Sequence, residues 1–519
     1  MAFLVSGTLR MAAQIADARD SLGRKGKYNL QGPRVALTLC SPEVSASTIA
    51  VLEDVFQTLG FESCQRREAS VQDFLRELTG FREQLDAHGG PMGCALVALV
   101  APCGQLRQPQ QLVRELSRCG ALQGCPKVFL LLSSTSGGAP KPGAFLTSLG
   151  ELCGRCPHWS LLQLLTEVFC RTAEESSGAT YCPVLRSSLR GALCLGDVEP
   201  WRPKPETRPR AQYDLSGTRA ALFLAVIRDR PGAQHDVKAL GDLCEALCFE
   251  TTTRTDPTAQ AFQEELAQFR EQLDTHRGPV SCALVALMAH GGPRGQLLGA
   301  DGQEVQPEAL VQELNCCGAL RGCPKIFLLQ ACRGGHRDAG TGPKARPWFW
   351  RWLQAPPAIP SHADILQIDV DPQGSSSRGS TPGNSDILTV YAATEEGRSP
   401  TLCPVPLPDP SSSCLLVPHF HHHRPLGTGR QLVSWSLMLW PWSPGLGCIA
   451  YRDEKKGSDF IQTLVEVLRT DPGGDLLELL TEVNRQVCEL DVLGPDCDER
   501  RKACLEICSS LRRRLCLQV

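Results

Sequence analysis

Net charge is nearly missing: 53 lysines and arginines face 56 aspartates and glutamates, a formal net charge of −3. The overall charge therefore draws the chain neither to nucleic acid nor to an anionic membrane surface. No run reaches the roughly 18 to 20 apolar residues that a membrane-spanning helix needs. The opening MAFLVSGTLR carries too short an apolar stretch for a signal peptide, and a cytoplasmic protein with no membrane segment is the expectation. Metal-ligand spacing is missing as well. One CxxC occurs, Cys153 to Cys156, without a second pair, so a four-cysteine zinc site is not expected.

What the chain has in excess is cysteine, 26 of 519 residues. Such a count is open to three readings: a disulfide framework, metal ligands, or small apolar side chains in a reducing compartment. Local context favours the last. Cys94 and Cys282 each open the run CALVAL, where a thiol packs like alanine or valine. The cluster His419 to His423 lies in a proline-rich stretch without other ligands, so neither a metal nor another cofactor is expected.

The chain repeats itself. FREQLD at Phe81 to Asp86 returns at Phe269 to Asp274, and CALVAL at Cys94 returns at Cys282, both 188 residues later. CGALQGCPKVFLLL from Cys119 returns as CGALRGCPKIFLLQ from Cys317, an offset of 198, so the first copy lacks ten residues in between. LLQLLTEV from Leu161 pairs with LLELLTEV from Leu476, and SSLRGALCL from Ser187 with SSLRRRLCL from Ser509. Two copies of one domain follow. Residues 1–32 read as a short lead, 33–197 as the first copy, 198–212 as a proline-rich tether, and 213–519 as the second copy.

In the second copy apolar runs alternate with amphipathic stretches. ALFLAVIRD from Ala221, CALVALMAH from Cys282, KIFLLQAC from Lys325 and DILTVYAA from Asp386 are strand-like, and LRRRLCLQV is read as a closing strand. Val237, Leu240, Leu243 and Leu247 fall at helical spacing, as do Phe262, Leu266, Phe269 and Leu273 after the breaker Pro257. Phe460 to Leu468 and Leu476 to Val487 are helical too. Alternating strands and helices predict an α/β fold, a mostly parallel sheet covered on both faces. Its reactive groups belong at the carboxyl ends of strands.

Gln330-Ala331-Cys332-Arg333-Gly334 stands at one such end, and Met288-Ala289-His290-Gly291, 42 residues before Cys332, at another. A QACRG run with a histidine upstream by about fifty residues resembles the caspase signature. The resemblance extends over about 300 residues and includes AYRDEKKGSDFIQTLVEV and the terminal LRRRLCLQV. It is nearest to the short-prodomain members tied to epidermal differentiation. It implies a three-layer αβα sandwich, a large-subunit region at 213–335, an intersubunit linker at 336–385 and a small-subunit region at 386–519.

The chemistry can be stated from the residues. A cysteine is mostly protonated near neutrality and becomes a nucleophile when an imidazole beside it accepts the proton. His290 would later return that proton to the leaving amine. Gly291 lets backbone approach the scissile carbonyl, so that its N–H and that of Cys332 form an oxyanion hole. The resemblance further implies cleavage after aspartate, and places Arg230, Gln330 and Arg452 in the pocket for that carboxylate, with Arg228 two residues from Arg230 as the alternative register. Arginine suits the task because its fork of permanently charged donors binds a carboxylate in two places.

Three features depart from the pattern. In the first copy Val100 to Gly104 (VAPCG) stands for MAHGG, and Leu132, Ser133, Ser134 and Thr135 stand for Gln330 to Arg333, so the first copy reads as a degenerate pseudo-caspase domain. Residues 398–447, with proline clusters, HFHHH and WSLMLWPWSP, separate the Thr394-to-Gly397 turn from the Arg452 run, and read as a retained intron or a gene-model artefact, with a genuine loop as the alternative. The linker contains Asp338, Asp364, Asp369 and Asp371, with Asp369 or Asp371 expected as the maturation cut. Two functions follow: an aspartate-directed cysteine endopeptidase of the cell-death or epidermal-differentiation type, or an inactive regulator that binds another caspase. The partners implied are protein substrates, with no nucleic acid and no membrane. Assembly is open between a homodimer, a heterodimer with another caspase, and pairing of the two copies within one chain through their terminal Leu193 and Leu195 against Leu515 and Leu517.

Overall fold

Runs such as Cys94–Ala101 and Lys127–Ser133 are buried at every position, which suits strands covered by helices on both faces. The computed structural model describes residues 26–88, 90–102, 106, 109–134, 142–175, 183–196, 211–292, 296–331, 363–369, 386–393, 452–453, 455–490, 492–493, 500–501 and 503–518. The first half runs β1 (Arg34–Cys40), α1 (Ala46–Thr58), β2 (Glu62–Arg67), α2 (Val71–His88), β3 (Cys94–Ala101), α3 (Gln110–Ser117), β4 (Lys127–Ser133), α4 (Pro142–Arg155), α5 (Leu161–Glu175) and β5 (Val184–Ser187).

The second half begins in the same order with β6 (Thr218–Ala225), α6 (Ala233–Ala246), β7 (Phe249–Thr255), α7 (Ala259–Thr275) and β8 (Val280–Gly291). A short hairpin, β9 (Leu297–Leu298) and β10 (Glu304–Val305), precedes α8 (Pro307–Asn315) and β11 (Lys325–Ala331). Then come β12 (Ile365–Asp369), β13 (Ile387–Ala393), β14 (Arg452–Asp453), β15 (Gly457–Ser458), α9 (Asp459–Thr470), α10 (Leu476–Glu489), β16 (Val492–Leu493), β17 (Arg500–Arg501) and β18 (Glu506–Ser509).

Fourteen of these strands make one sheet. From one side the neighbours run β7, β6, β8, β11, β13, β18, β5, β12, β4, β3, β1, β2, with the β9–β10 hairpin extending the end of β8. Apolar side chains of α1, α4 and α5 cover one face of the first half and those of α2 and α3 the other. In the second half α6, α9 and α10 cover one face, and α7 and α8 the other. The expected αβα sandwich is therefore observed. The helices sit where the apolar spacing put them: Phe262, Leu266, Phe269 and Leu273 are the buried side of α7.

The repeat has a geometric counterpart. Ala95 pairs with Lys127 between β3 and β4, and Ala283 with Lys325 between β8 and β11, so both sequence offsets hold residue for residue. Arg34 donates to the carbonyls of Leu59 and Leu195 (3.0 and 2.8 Å), and Arg219 repeats this with Leu247 and Leu517 (3.1 and 2.6 Å).

The halves join by antiparallel pairing of β5 with β18, where Ile507 faces Ser187, Cys508 faces Arg186 and Ser509 faces Leu185. The pairing is symmetric about Arg186 and Cys508, as a pseudo-twofold axis requires. This corrects the expectation that LRRRLCLQV closes as the pairing strand. Three consecutive arginines cannot alternate in and out of a core, and Leu515 and Leu517 are buried in the core of their own half, as Leu193 and Leu195 are in theirs. Side chains add to the join: Asn484 on α10 donates to the carbonyls of Ser188 and Leu189 (2.9 and 3.0 Å) and accepts from the Leu505 amide (2.7 Å).

The lead is also shorter than expected. Lys27 bridges Ala192, and Tyr28 and Leu30 are buried in the core of the first half, because the Tyr28 hydroxyl caps a buried carboxylate, Asp364, at 2.5 Å. The region assigned as linker includes a strand, β12, that lies between β4 and β5 rather than beside β11. Residues 1–25, most of the tether and all of 398–447, with its histidine cluster, lie outside the described residues. Most of the described cysteines are buried. Burial pushes the thiols of Cys94 and Cys282 up to about 12, which fits packing residues and not reactive ones.

Candidate active site

β8 and β11 are neighbouring parallel strands, and their last cross-strand pair is Ala289 with Ala331. The next residue in each strand's sequence is His290 and Cys332. Cys332 lies outside the described residues, whereas His290 is described and half-buried. Its Nε2 is 3.3 Å from the carbonyl oxygen of Arg228. A carbonyl can only accept, so a hydrogen bond there puts the ring proton on Nε2 and leaves Nδ1 as the nitrogen able to take a proton.

Gly291 closes β8 opposite Leu297, and the Gly292 amide donates to the Gln296 carbonyl at 2.8 Å. A Cβ at Gly292 would stand 2.8 Å from the Gln296 side chain. The second glycine of the HGG run therefore has a packing role that spacing alone did not reveal.

Of the two candidate arginines after β6, Arg228 is exposed and Arg230 is buried at 2% exposure. Arg230 Nη1 donates to the Val226 carbonyl at 2.7 Å, and the Val226 amide bonds Met288 on β8 at 2.7 Å. Gln330 pairs across the sheet with Met288 on one side and Ala392 on the other, so Arg230 and Gln330 flank the same stretch of β8. Gln330 is 1% exposed, and neither its Nε2 nor its Oε1 has a hydrogen-bond partner among the described residues. An unmet buried amide costs about 1–3 kcal/mol, which is tolerated where a ligand supplies the partner.

Arg452 opens β14 and pairs with Ser458 of β15, in a two-stranded ribbon outside the large sheet. Its side chain lies outside the described atoms, but the ribbon's anchor is visible. Gly457, at φ 92°, packs so closely on the Asp236 carboxylate that a Cβ there would clash. The Ser458 amide donates to Asp236 Oδ1 at 2.7 Å. Asp236 stands in the first turn of α6, the helix that follows Arg230, so one buried carboxylate ties the Arg452 ribbon to the segment holding Arg230. Sequence reading missed Asp236 and Gly457; the glycine inside DEKKGS was the available signal.

Asp369 ends β12 with its backbone paired to Leu131 and Val184, and Asp371 lies outside the described residues. β12 runs antiparallel to β11 and β13, because three antiparallel junctions separate it from β13. Its carboxyl end is thus at the sheet edge opposite the one where β8 delivers His290. At the matching place in the first half, Pro102 follows β3 and Ser134 follows β4, its amide bonded to the Ala101 carbonyl at 3.0 Å. Among the described residues no group of three or more histidine, cysteine, aspartate or glutamate side chains could hold a metal ion, and no helix is long and apolar enough to cross a membrane.

The family model for the caspase domain matches residues 218–516. Caspase-14 of Homo sapiens is 35% identical over 316 residues, which is 60% of this chain and 99% of that protein. Caspase-14 of Mus musculus is 33% identical, covering 60% and 97%. The crystal structure of caspase-1 from Spodoptera frugiperda superposes with a TM-score of 0.38 at 20% identity, over 61% of this chain and 96% of that one. On the domain match and the two caspase-14 relatives, the chain belongs to the caspase family of cysteine peptidases.

Proposed function

We propose that the second half is an endopeptidase that cleaves after aspartate in cytosolic protein substrates, with Cys332 as nucleophile and His290 as its acid/base partner. The observation that carries this reading is the placement of His290 and the Gln330-Ala331 end of β11 on adjacent parallel strands, with buried Arg230 and the unmet Gln330 amide beside them. Nδ1 of His290 takes the thiol proton, and the sulfur adds to the scissile carbonyl. The resulting oxyanion is held by the amides of Gly291 and Cys332. As the C–N bond breaks, the imidazolium passes its proton to the departing amine. Water, activated by the same imidazole, then hydrolyses the thioester.

Arg230, Gln330 and Arg452 are the proposed pocket for the substrate aspartate. Arg230→Met keeps the volume and removes the fork. It is expected to lower kcat/KM for an aspartyl peptide by about a hundredfold or more, since removing one partner of a desolvated charge pair costs several kcal/mol. An unaltered kcat/KM would remove Arg230 from the pocket. An aspartyl-ketone probe should label Cys332 in the full chain and in a chain lacking 398–447; failure in both leaves the regulator reading.

The first half, with Pro102 and Ser134 where a base and a thiol are needed, acts in this proposal as a non-catalytic partner paired through β5 and β18. The maturation cut is placed in this proposal at Asp369 or Asp371, and β12 delivers Asp369 at the end of the sheet opposite His290. A second molecule makes the cut in this reading, so its rate per molecule should rise in proportion to enzyme concentration; a rate per molecule that stays constant on dilution would refute this.

A further inference from the structure

Within the first half, β4 leads on to α4 and the half returns to the sheet with β5, yet β4 and β5 are not neighbours: β12, from the second half, separates them. We propose that the gap between β4 and β5 is a strand-binding slot built for an extended Asp-Ile-Leu segment. Residues 363–369 fill it as a donated strand whose hold does not depend on the chain connections at its two ends.

The slot repeats, contact for contact, the seat of β13 in the second half. Ile365 pairs with Lys127 and Leu366 with Ser187, as Ile387 pairs with Lys325 and Leu388 with Ser509. Asp364 and Asp386 both adopt positive φ, 66° and 63°, which non-glycine residues rarely do. Their carbonyls accept from the amides of Lys127 and Lys325 (2.8 and 2.9 Å), and their own amides donate to Ser188 and Ser510 (3.0 and 3.2 Å). Each carboxylate is gripped by one arginine and one tyrosine. Arg190 reaches both oxygens of Asp364 at 2.9 and 3.0 Å, and Arg512 those of Asp386 at 3.1 and 2.6 Å. Tyr28 and Tyr213 donate at 2.5 and 2.6 Å.

The side chains complete both cores of the first half. Leu366, fully buried, packs with Leu130, Leu132 and Leu185 on one face, while Ile365 joins Phe129 and Leu131 on the other. Without the strand, β4 and β5 would present unpaired backbone edges above an apolar floor, an arrangement that recruits a strand. The signature is legible in sequence, since Asp-Ile-Leu occurs at Asp364 and again at Asp386. One consequence is that proteolysis on either side of 363–369 nicks the chain without undoing the join between its halves.

The experiment uses the full chain with recognition sequences for a site-specific protease placed within 340–360 and within 372–384. After cutting under native conditions, the excised peptide containing 363–369 should elute with the protein in near one-to-one amount. In the uncut chain the amides of 366–368 should exchange with deuterium on the order of a thousandfold more slowly than in a free peptide. A peptide that leaves on cutting, or amides that exchange at free-peptide rate, would overturn the proposal. Asp364→Asn should speed release from the cut protein at least about tenfold; an unchanged rate would discard the aspartate anchor, and with it the claim that the slot selects Asp-Ile-Leu.

Discussion

His290→Ala is expected to lower kcat/KM on an aspartyl peptide by about a thousandfold or more, in line with the 10²–10⁴ that a positioned acid/base group contributes and with the further loss of thiolate at neutral pH. The size of the effect follows from the proposed mechanism, in which one imidazole would serve twice, first removing the thiol proton and then protonating the amine. The geometry makes a second, sharper expectation. The Arg228 carbonyl, 3.3 Å from Nε2, is a backbone group, so no substitution at Arg228 removes it, and Arg228→Ala should leave kcat/KM within about threefold. The pair of variants separates an imidazole that does chemistry from one that only fills the end of β8. In the variant lacking the imidazole, activity should reappear as pH rises toward the ordinary thiol range near 8.5, because solvent then makes the thiolate. Equal activity of wild type and His290→Ala near pH 7 would end the enzyme reading.

The centre of the sheet was legible because its strands carry two signals at once. CALVAL and KIFLLQ are apolar on both faces and are bounded by turn residues, so they announce buried parallel strands, and their repetition at fixed offsets announces a second copy. The place of His290 near the end of β8 was legible for the same reason: it follows such a run. What escaped is everything decided by pairing across long sequence distance. Ile365–Asp369 is a run of only five residues inside a stretch of proline, glycine and serine, and nothing local says that it pairs with β4, more than two hundred residues earlier. The terminal LRRRLCLQV looked like a strand because its leucines alternate. Those leucines instead drop into the core, with the Leu515 carbonyl accepting from the Leu476 amide at 2.8 Å, while the shorter EICS run does the pairing. Asp236 was invisible because an acidic residue in the first turn of a helix ordinarily favours the helix dipole; only the fold brings Gly457 and Ser458 onto it.

The buried carboxylates at the two strand seats give the largest expected stability effect. Asp364→Ala removes the partner of Arg190, whose side chain is 4% exposed, and of the buried Tyr28 hydroxyl. Breaking a buried pair from one side strands the other charge, so the cost is about 3–5 kcal/mol. Asp386→Ala removes the same contacts, but Arg512 is 30% exposed and can turn to water, which should limit the loss to about 1–3 kcal/mol. Urea unfolding of the two variants should therefore show the larger fall in midpoint for Asp364→Ala, although β12 is the shorter strand. The Asp386 site also makes a pH prediction. Burial alone raises its carboxyl, but hydrogen bonds from Arg512 and Tyr213 and the charges of Arg512 and Lys325 outweigh it, so the group is held below the ordinary carboxylate value. A depressed folded value means the stabilisation is fully present above about pH 4, where the unfolded carboxylate is also ionised, and is lost as pH falls through the folded value. The midpoint difference between wild type and Asp386→Ala should accordingly stay constant from about pH 7 to 5 and shrink only below about pH 4. A difference that already narrows between pH 7 and 5 would mean that the carboxylate is not held by the arginine and tyrosine that face it.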